Sequence, residues 1–228
     1  MKKFSVLVAI IAVCGINRVA SGQDSAAANA WKSALAGPFF EGGGAVSAGN
    51  VASGAKTNFL FAWATGARGV FPLAPNIALS AALGYDARSI EYYKQDDQNF
   101  KFDYTFDYFA IRPGIQLGDF SLGLGLGIPL GYSVTVQQGA GQSSKTSSIG
   151  ASGMNFLLEL RLGAAVPLIQ NENGQLQFLV EASYAFNHLV ANGPLSYYGP
   201  GTQSSASNNG PLATLQLGFA YLFNLNPQ

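Results

Sequence analysis

The strongest constraint in this sequence is a strict alternation of residue types from Phe120 to Gln137. One parity holds apolar residues, and the other holds mainly glycine, serine and threonine. The apolar positions are Phe120, Leu122, Leu124, Leu126, Ile128, Leu130, Tyr132, Val134 and Val136. A period of two over this length predicts a β-strand with one apolar face, because a helix repeats every 3.6 residues. The pattern favours an all-β fold.

The same alternation recurs along the chain and predicts eight strands, near residues 39–49, 58–71, 77–93, 101–117, 120–137, 154–168, 176–190 and 211–223. The connections alternate in length. Those at 72–76, 118–119 and 170–175 are short, whereas those at 50–57, 94–100, 138–153 and 191–210 are mostly longer and polar. Short turns at one end and long loops at the other are typical of membrane barrels. We therefore expect an all-β fold, an eight-stranded antiparallel up-and-down transmembrane β-barrel.

Composition supports a lipid-facing surface. Charged residues make up only 11% of the chain, against roughly a quarter in soluble domains. The outward parity that starts at Ile77 stays apolar or aromatic as far as Ala87, and a membrane-crossing strand needs about 9–11 residues. Aromatic residues near the band edges predict two interfacial girdles. These are Phe71, Phe120, Tyr221 and Phe223 on the turn side, and Tyr85, Tyr104, Tyr132 and Tyr184 on the loop side.

The N-terminus predicts export. Lys2 and Lys3 precede an apolar run, and Ala20-Ser21-Gly22 supplies small residues for cleavage. We predict a cleaved signal peptide at 1–22, a short periplasmic tail at 23–37, an outer-membrane barrel domain at 38–223 and a C-terminal tail at 224–228. Cys14 resembles a lipidation site only faintly, because the bulky Val13 precedes it, and it is expected to be discarded.

Charge and residue types exclude several kinds of function. The predicted mature chain keeps nine basic and twelve acidic side chains, a net charge near −3, so nucleic acid is not an expected partner. It has one histidine, no cysteine and no calcium-loop spacing. We expect neither a metal nor a cofactor.

The last predicted strand carries a specific short pattern: Gln216, Gly218, Tyr221 and Phe223 lie at the spacing polar, glycine, aromatic, aromatic. This pattern resembles the C-terminal β-signal of outer-membrane barrels, which implies the barrel-assembly machinery as a partner during biogenesis. Five residues follow Phe223, whereas many family members end on the aromatic residue. Residues 38–223 resemble the small outer-membrane barrel families typified by the OmpA membrane domain and OmpX, including PorT-like barrels. The resemblance implies a scaffold in the bacterial outer membrane and no specific activity.

The inward parity predicts a lumen rich in arginine and acid. Arg68, Arg88 and Arg161 point inward, and Arg112 joins them if a β-bulge near 107–109 lets Phe102, Tyr104, Phe106 and Tyr108 face lipid. The expected acidic partners are Glu41, Asp86, Asp107, Glu159 and Glu181, with Asp103 as a further candidate. Eight strands enclose a space that side chains can fill. We interpret the cluster as an ion-paired structural plug; the alternative is a conduction or binding path.

No catalytic site is predicted. The only histidine, His188, is expected on the outer face near the external rim, without the serine two positions on that the lipid-A deacylase barrels have. The predicted function is a non-enzymatic barrel that contributes to envelope structure or to surface interaction through its loops. Its expected partners are outer-membrane lipid, lipopolysaccharide and an unknown surface ligand at loops 138–153 and 191–210. The alternatives are a narrow passive channel for small solutes, a PorT-like accessory barrel in protein secretion, and a soluble barrel that binds lipid in its lumen.

Overall fold

The computed structural model describes residues 33–47, 55–94, 97–138, 145–189, 197–199, 202–204 and 212–225. The predicted signal peptide with Cys14, most of the predicted N-terminal tail and much of the long loops lie outside these residues. Within the described ranges, no helix is both long enough and apolar enough to cross a membrane.

The described residues form eleven strands, of which eight close into a ring. The strands are β1 (Leu35–Ser47), β2 (Ala55–Ala74), β3 (Ile77–Lys94), β4 (Asp97–Leu117), β5 (Phe120–Gln138), β6 (Lys145–Gly150), β7 (Leu157–Asn171), β8 (Gly174–Ala185), β9 (Tyr197–Gly199), β10 (Thr202–Ser204) and β11 (Leu212–Asn224). Each of β1, β2, β3, β4, β5, β7, β8 and β11 pairs antiparallel with the next. β11 then pairs with β1 along a seam from Leu35↔Asn224 to Ser47↔Leu212. The predicted eight-stranded up-and-down barrel is confirmed.

The short connections all lie at one end, where local turn chemistry forms them. Asn76 and Gly118 adopt positive φ angles of 63° and 60°, a conformation that asparagine tolerates and glycine favours. The Oδ1 of Asn171 accepts hydrogen bonds from the backbone N–H groups of Asn173 and Gly174, each at 3.0 Å. The long connections lie at the opposite end, as predicted from their lengths.

Several boundaries differ from the predicted ones. β1 begins at Leu35, ahead of the predicted barrel boundary at 38, and β8 ends at Ala185 rather than near 190. β3 and β4 extend to Lys94 and Asp97, so the predicted loop 94–100 is mostly strand. The predicted loop 138–153 contains β6, which pairs with the upper part of β5, and the predicted loop 191–210 contains the β9–β10 hairpin. Backbone pairing within these polar segments overrides their loop-like composition.

The outer face of the ring is apolar. Large apolar side chains point away from the lumen on successive strands and are exposed, for example Leu79, Leu83, Phe109, Ile115, Leu122, Leu124, Leu126, Ile128, Leu217 and Phe219. On β3 the predicted outward set from Ile77 to Tyr85 faces outward. Exposure of such a continuous apolar belt to water would be strongly unfavourable. In a bilayer the belt contacts the apolar lipid chains instead.

The register irregularity between β4 and β5 lies on a different strand from the one predicted. Asp107 pairs with Gly131 and Tyr108 pairs with Pro129, so Leu130 is the extra residue and the bulge is on β5. Proline has no N–H to donate to the ladder, and it is found at bulges for that reason. β4 therefore keeps one parity throughout, and Arg112 faces inward without a bulge on its own strand.

This placement corrects the predicted orientation of two groups of side chains. Phe102, Tyr104, Phe106 and Tyr108 do not face lipid; they are buried in the lumen on the parity of Arg112. Beyond the bulge on β5, Tyr132, Val134 and Val136 also turn inward and pack against them. Tyr104 and Tyr132 thus do not belong to the external girdle. The upper lumen is apolar, so aromatic residues on the inward parity are favourable there.

The inward side chains form three layers between the two ends. The turn-side layer is apolar and includes Leu35, Phe39, Val70, Leu179 and Leu222. The middle layer holds the buried charges. The loop-side layer, which we call the aromatic layer, consists of Tyr92, Phe102, Tyr104, Phe106 and Tyr108 with the apolar neighbours Ile90, Met154, Leu157, Leu189 and Leu212. The middle layer therefore lies between two apolar layers.

Candidate functional site

Arg88 lies at the centre of the middle layer and is fully buried. Its guanidinium donates to Asp86 through Nε at 3.1 Å and Nη2 at 2.6 Å. It also donates to Glu159 through Nη1 at 2.6 Å and Nη2 at 3.0 Å. Both carboxylates are buried as well. The planar fork of arginine can hold two carboxylates in this way, which lysine cannot.

Arg112 and Arg161 extend this arrangement around the lumen. Arg112 donates to Glu41 at 2.8 Å and to Asp86 at 2.9 Å, and its guanidinium carbon lies 5.4 Å from the ring centroid of Phe39. Arg161 forms ion pairs with Glu159 and Glu181, and its Nη2 lies 4.0 Å from Glu41 Oε2. Each of these arginines contacts at least two carboxylates.

The ion pairs close into a cycle of alternating charge. The order is Arg88, Asp86, Arg112, Glu41, Arg161, Glu159 and back to Arg88. Glu181 attaches to this cycle through Arg161 and, at 3.7 Å, through Arg112. We call these seven residues the charge cluster. Alternation places every buried charge next to opposite charges, which offsets the cost of removing them from water.

Arg68 faces the lumen but stays outside the charge cluster. Its side chain is 9% exposed, and it forms no ion pair with any described residue. Its Nε and Nη2 atoms have no hydrogen-bond partner within the described part of the chain. It lines a cavity on the turn side of the charge cluster, together with Ser80, Ser121 and the edge of the cluster. Of the four arginines predicted in the lumen, three thus belong to the charge cluster and Arg68 does not.

Asp107 and Asp103 do not lie in the lumen, which corrects their predicted positions. Asp107 faces outward and accepts a hydrogen bond from Tyr85 Oη at 2.5 Å. Asp103 is also on the outer parity and accepts from Gln137 Nε2 at 3.1 Å. The uninterrupted parity of β4 is the reason, because the predicted bulge on that strand would have turned Asp107 inward.

The wall is closed, its outer band is apolar and the charge cluster is enclosed. A soluble barrel that binds lipid inside has the opposite arrangement, with a polar outer face. Antiparallel barrels with an apolar outward band and a polar interior are characteristic of bacterial outer membranes. The chain is an eight-stranded outer-membrane β-barrel.

Comparisons with known proteins describe what this barrel is similar to. No protein-family model matches the chain, and no curated protein sequence matches it. Ail, the attachment invasion locus protein of Yersinia pestis, is similar at 14% sequence identity and a TM-score of 0.40, with 84% of this chain and 98% of that chain covered. Neisserial surface protein A is similar at 11% identity and a TM-score of 0.35, with 82% and 96% covered. The outer membrane protein OprG from Pseudomonas aeruginosa is similar at 13% identity and a TM-score of 0.33, with 84% and 94% covered.

The four residues of the predicted β-signal occupy both faces of β11. Gln216 and Gly218 lie on the lumen side of the barrel, and Gln216 is almost completely buried. Gly218 pairs with Glu41, and a Cβ at this position would lie 2.1 Å from the backbone oxygen of Phe40. Tyr221 and Phe223 face outward near the turn side, with ring centroids 4.9 Å apart. Their role in assembly stays a prediction.

A hydrolase would need a serine that meets His188, and the two serines considered for this role are Ser183 and Ser196. Ser183 is on the inner face, where its hydroxyl lies 2.6 Å from that of Thr214. His188 lies beyond the end of β8, is exposed, and its backbone oxygen accepts a hydrogen bond from Asn155. Ser196 is outside the described residues. Across the described ranges, no group of three or more His, Cys, Asp or Glu side chains is placed to hold a metal ion.

The aromatic layer is the part of the lumen that sequence reasoning missed. Its residues lie on the inward parity of β3 and β4, directly above the charge cluster. Pro129 was the available signal, since a proline within an otherwise regular central strand indicates a bulge and hence a change of face. The lumen therefore combines a charged middle with an apolar cover on the loop side.

Proposed function

We propose that the protein is a non-enzymatic outer-membrane barrel with a filled lumen, which contributes to envelope structure and presents its external loops for surface interaction. The observation that carries this proposal is the closed cycle of the charge cluster. Its arginines come from β3, β4 and β7, and its carboxylates from β1, β3, β7 and β8. Ion pairs between strands on different sides of the ring cross the lumen instead of lining it.

The aromatic layer supports the same proposal. Phe106 and Tyr108 are fully buried immediately above the charge cluster, and Phe106 stacks on Tyr132 with ring centroids 5.7 Å apart. Hydrated ions crossing the barrel would have to displace these rings and then separate paired charges. Both steps are costly, because protein interiors are closely packed and a separated buried ion pair leaves unpaired charge.

Planar-bilayer recording of the detergent-refolded protein tests the plug. We expect no conductance steps of porin size. The matched variant combines Arg88→Ala with Glu159→Ala, which removes one acid and one base from the charge cluster, and it is expected to conduct more than the unmodified protein. Porin-sized steps from the unmodified barrel would overturn the proposal.

A narrow passive channel for small solutes is the second candidate. The cavity on the turn side of the charge cluster favours it, because Arg68, Ser80 and Ser121 place polar groups on the wall of that space. Liposome swelling with small neutral solutes distinguishes the two. Swelling well above that of protein-free liposomes favours the channel.

The proposed surface role rests on the loop end of the barrel. The predicted ligand loops 138–153 and 191–210 are both at this end, and residues 139–144, 191–196, 200–201 and 205–210 in them lie outside the described residues. Loops on a rigid scaffold are common binding sites. A variant with residues 139–144, which precede β6, replaced by a glycine-serine segment of equal length should fold normally and lose surface binding in whole-cell adhesion assays. Unchanged binding would exclude this loop.

The non-enzymatic part of the proposal is supported by the separation of Ser183 from the solvent-facing His188. Purified protein should show no lipid-hydrolysing activity. An activity that His188→Ala abolishes, while the variant still folds, would contradict this part alone.

A further inference from the structure

The outer face of the barrel carries two acidic side chains that lie against each other on the loop side of the apolar belt. Within the belt, Leu83 and Phe109 are exposed on β3 and β4. Further towards the loop end, Glu91 on β3 and Asp103 on β4 are directly opposite each other in the antiparallel register. Like charges in such a pair destabilise a sheet. Two ionised carboxylates are therefore unfavourable at this position.

Glu91 is the better anchored of the two side chains. It is only 6% exposed although it lies on the outer parity. Its carboxylate accepts a hydrogen bond from Asn58 Nδ2 on β2 and another from Lys101 Nζ on β4, the second at 3.3 Å. These contacts hold the Glu91 oxygens in place as acceptors beside Asp103.

Asp103 lacks a donor for one of its oxygens. Its Oδ2 accepts a hydrogen bond from Gln137 Nε2 on β5 at 3.1 Å, whereas its Oδ1 is buried and accepts none from the described part of the chain. The carboxyl group of Asp103 is nevertheless in hydrogen-bonding contact with that of Glu91. Ionised carboxylates are acceptors only, so this contact is favourable only when one of the two groups carries a proton.

The groups that surround Asp103 favour the protonated form of its carboxyl. Burial raises the pKa of Asp103 most, followed by the negative charge of Glu91, and the hydrogen bond with Glu91 adds to the rise. The positive charge of Lys101 and the amide of Gln137 lower the pKa without cancelling that rise. From β2, the side chain bonded to this pair is the uncharged Asn58.

We propose that Glu91 and Asp103 share one proton, which Asp103 donates to Glu91, and that this proton stabilises the pairing of β3 with β4 outside the bilayer. When the proton is lost, the two carboxylates repel each other, and the external β3–β4 hairpin opens more readily. Because the pKa of Asp103 is higher in the folded hairpin than in the open one, the stabilisation is complete below the ordinary aspartate value of about 3.9. It is lost as the pH rises through the folded value. The pair lies on the outer face and is independent of the charge cluster.

Amide hydrogen exchange of residues 89–105, followed by mass spectrometry, tests the proposal on the mature protein in lipid vesicles. A chelator excludes divalent cations, and rates are corrected for the chemical pH dependence of exchange. Between about pH 8 and about pH 4, a range that includes and exceeds the ordinary aspartate value, protection should rise as the pH falls. The limit for uptake of one proton is about tenfold per pH unit.

Asp103→Asn carries a permanent amide donor in place of the proton, so its protection should be high and independent of pH. The matched control is Asp107→Asn. Asp107 is also an outward acid on β4, but it pairs with Ala87 and accepts its hydrogen bond from Tyr85. This control should keep the pH dependence of the unmodified protein. If Asp103→Asn does not fold, Glu91→Gln replaces it, because its amide can donate to Asp103 and should also give protection that is independent of pH.

Infrared spectroscopy over the same pH range detects the proton itself. The C=O stretch of a protonated carboxyl should appear above the ordinary pKa of aspartate in the unmodified protein and in Asp107→Asn, and should be missing in Asp103→Asn. A merely structural role of Asp103 predicts instead that Asp103→Asn lowers protection by the same factor at every pH. That result, or a pH dependence that survives in Asp103→Asn, overturns the proposal.

Discussion

At Arg88 two buried carboxylates, Asp86 and Glu159, share one guanidinium. Both carboxylates keep a second arginine, Arg112 for Asp86 and Arg161 for Glu159. Removing Arg88 would therefore open the cycle but leave each of the two carboxylates paired with one arginine. The pair at the loop edge, Lys101 with Glu91, is more exposed on its lysine side.

Replacing Arg88 by methionine should destabilise the barrel by about 3–5 kcal/mol, because breaking a buried pair leaves uncompensated charge in the lumen. Lys101→Met should cost about 1 kcal/mol or less, since its partner contact is partly exposed. Equilibrium unfolding in urea, followed by tryptophan fluorescence in lipid vesicles, measures both. Equal losses in the two variants would show that burial of the cluster contributes nothing extra.

Gly125 tests how closely the cluster packs on the wall. A Cβ there would lie 2.3 Å from Glu159 Oε1 and 2.4 Å from Glu159 Cγ, so Gly125→Ala should push Glu159 away from Arg88 and cost about 1–3 kcal/mol. Gly150→Ala is the control, because no atom lies within 4 Å of a Cβ at that position, and it should change stability by about 0.5 kcal/mol or less. The same unfolding measurement applies. A neutral Gly125→Ala would mean that the Glu159 contact adapts without loss.

At the scale of the strand, the bulge at Leu130 decides which residues fill the upper lumen. Below it, Leu126 and Ile128 face outward; above it, Tyr132 and Val134 face inward. On the paired strand β4, Phe106 is buried opposite Tyr132, and its neighbour Thr105 is on the outer parity, bonded to Ser89. One additional residue therefore exchanges the two faces of the upper part of β5.

Cysteine labelling tests this arrangement directly, because the predicted mature chain has no cysteine of its own. Thr105→Cys should react with a water-soluble maleimide in the folded barrel, whereas Phe106→Cys should react only after denaturation. Denatured samples of both variants provide the control for reactivity. Faster labelling of Phe106→Cys in the folded state would restore the parity first predicted for β4.

The number and approximate positions of the barrel strands could be predicted from the sequence, since alternation and turn residues are local properties. The orientation of the upper strands was not. Ile128, Leu130, Tyr132, Val134 and Val136 are all apolar, and an apolar residue is equally compatible with lipid outside and with an aromatic lumen inside. Periodicity gives the spacing of a face but does not identify which side it meets.

For the charge cluster, the sequence likewise predicted which face most side chains occupy but not how they pair. Parity placed Arg68, Arg88, Arg161, Glu41, Asp86, Glu159 and Glu181 on the inner face, where the structure has them. It could not show that Arg68 stands apart from the cycle, because pairing depends on depth along the barrel and on the tilt of strands that are distant in sequence. The predicted orientation of Asp107 was wrong for the same reason as that of the β4 aromatic residues, because the bulge is on the partner strand β5.

For the whole molecule, the predicted β-signal in the last strand makes a specific expectation about assembly. Phe223→Ala should reduce the amount of barrel assembled in cells several-fold, judged by heat-modifiable gel mobility, while refolding of purified protein into vesicles changes little. Phe120→Ala is the matched control, because Phe120 is also an exposed aromatic residue on the turn side but lies outside the signal. Equal losses for both variants in cells would attribute the effect to lipid contact alone.

The seam between β1 and β11 joins the first described strand to the last, with Leu35 opposite Asn224. Neither edge of the sheet is satisfied until the C-terminal strand has been made, so a chain still emerging from the ribosome cannot complete its ring. Such pairings of high sequence separation slow folding, because loop-closure entropy is lost before the contacts form. The same seam places the first and the last described strands side by side. A circular permutant that links the ends across the seam and opens in an external loop should rebuild the same wall, with its slowest closing step moved to a new pair of strands.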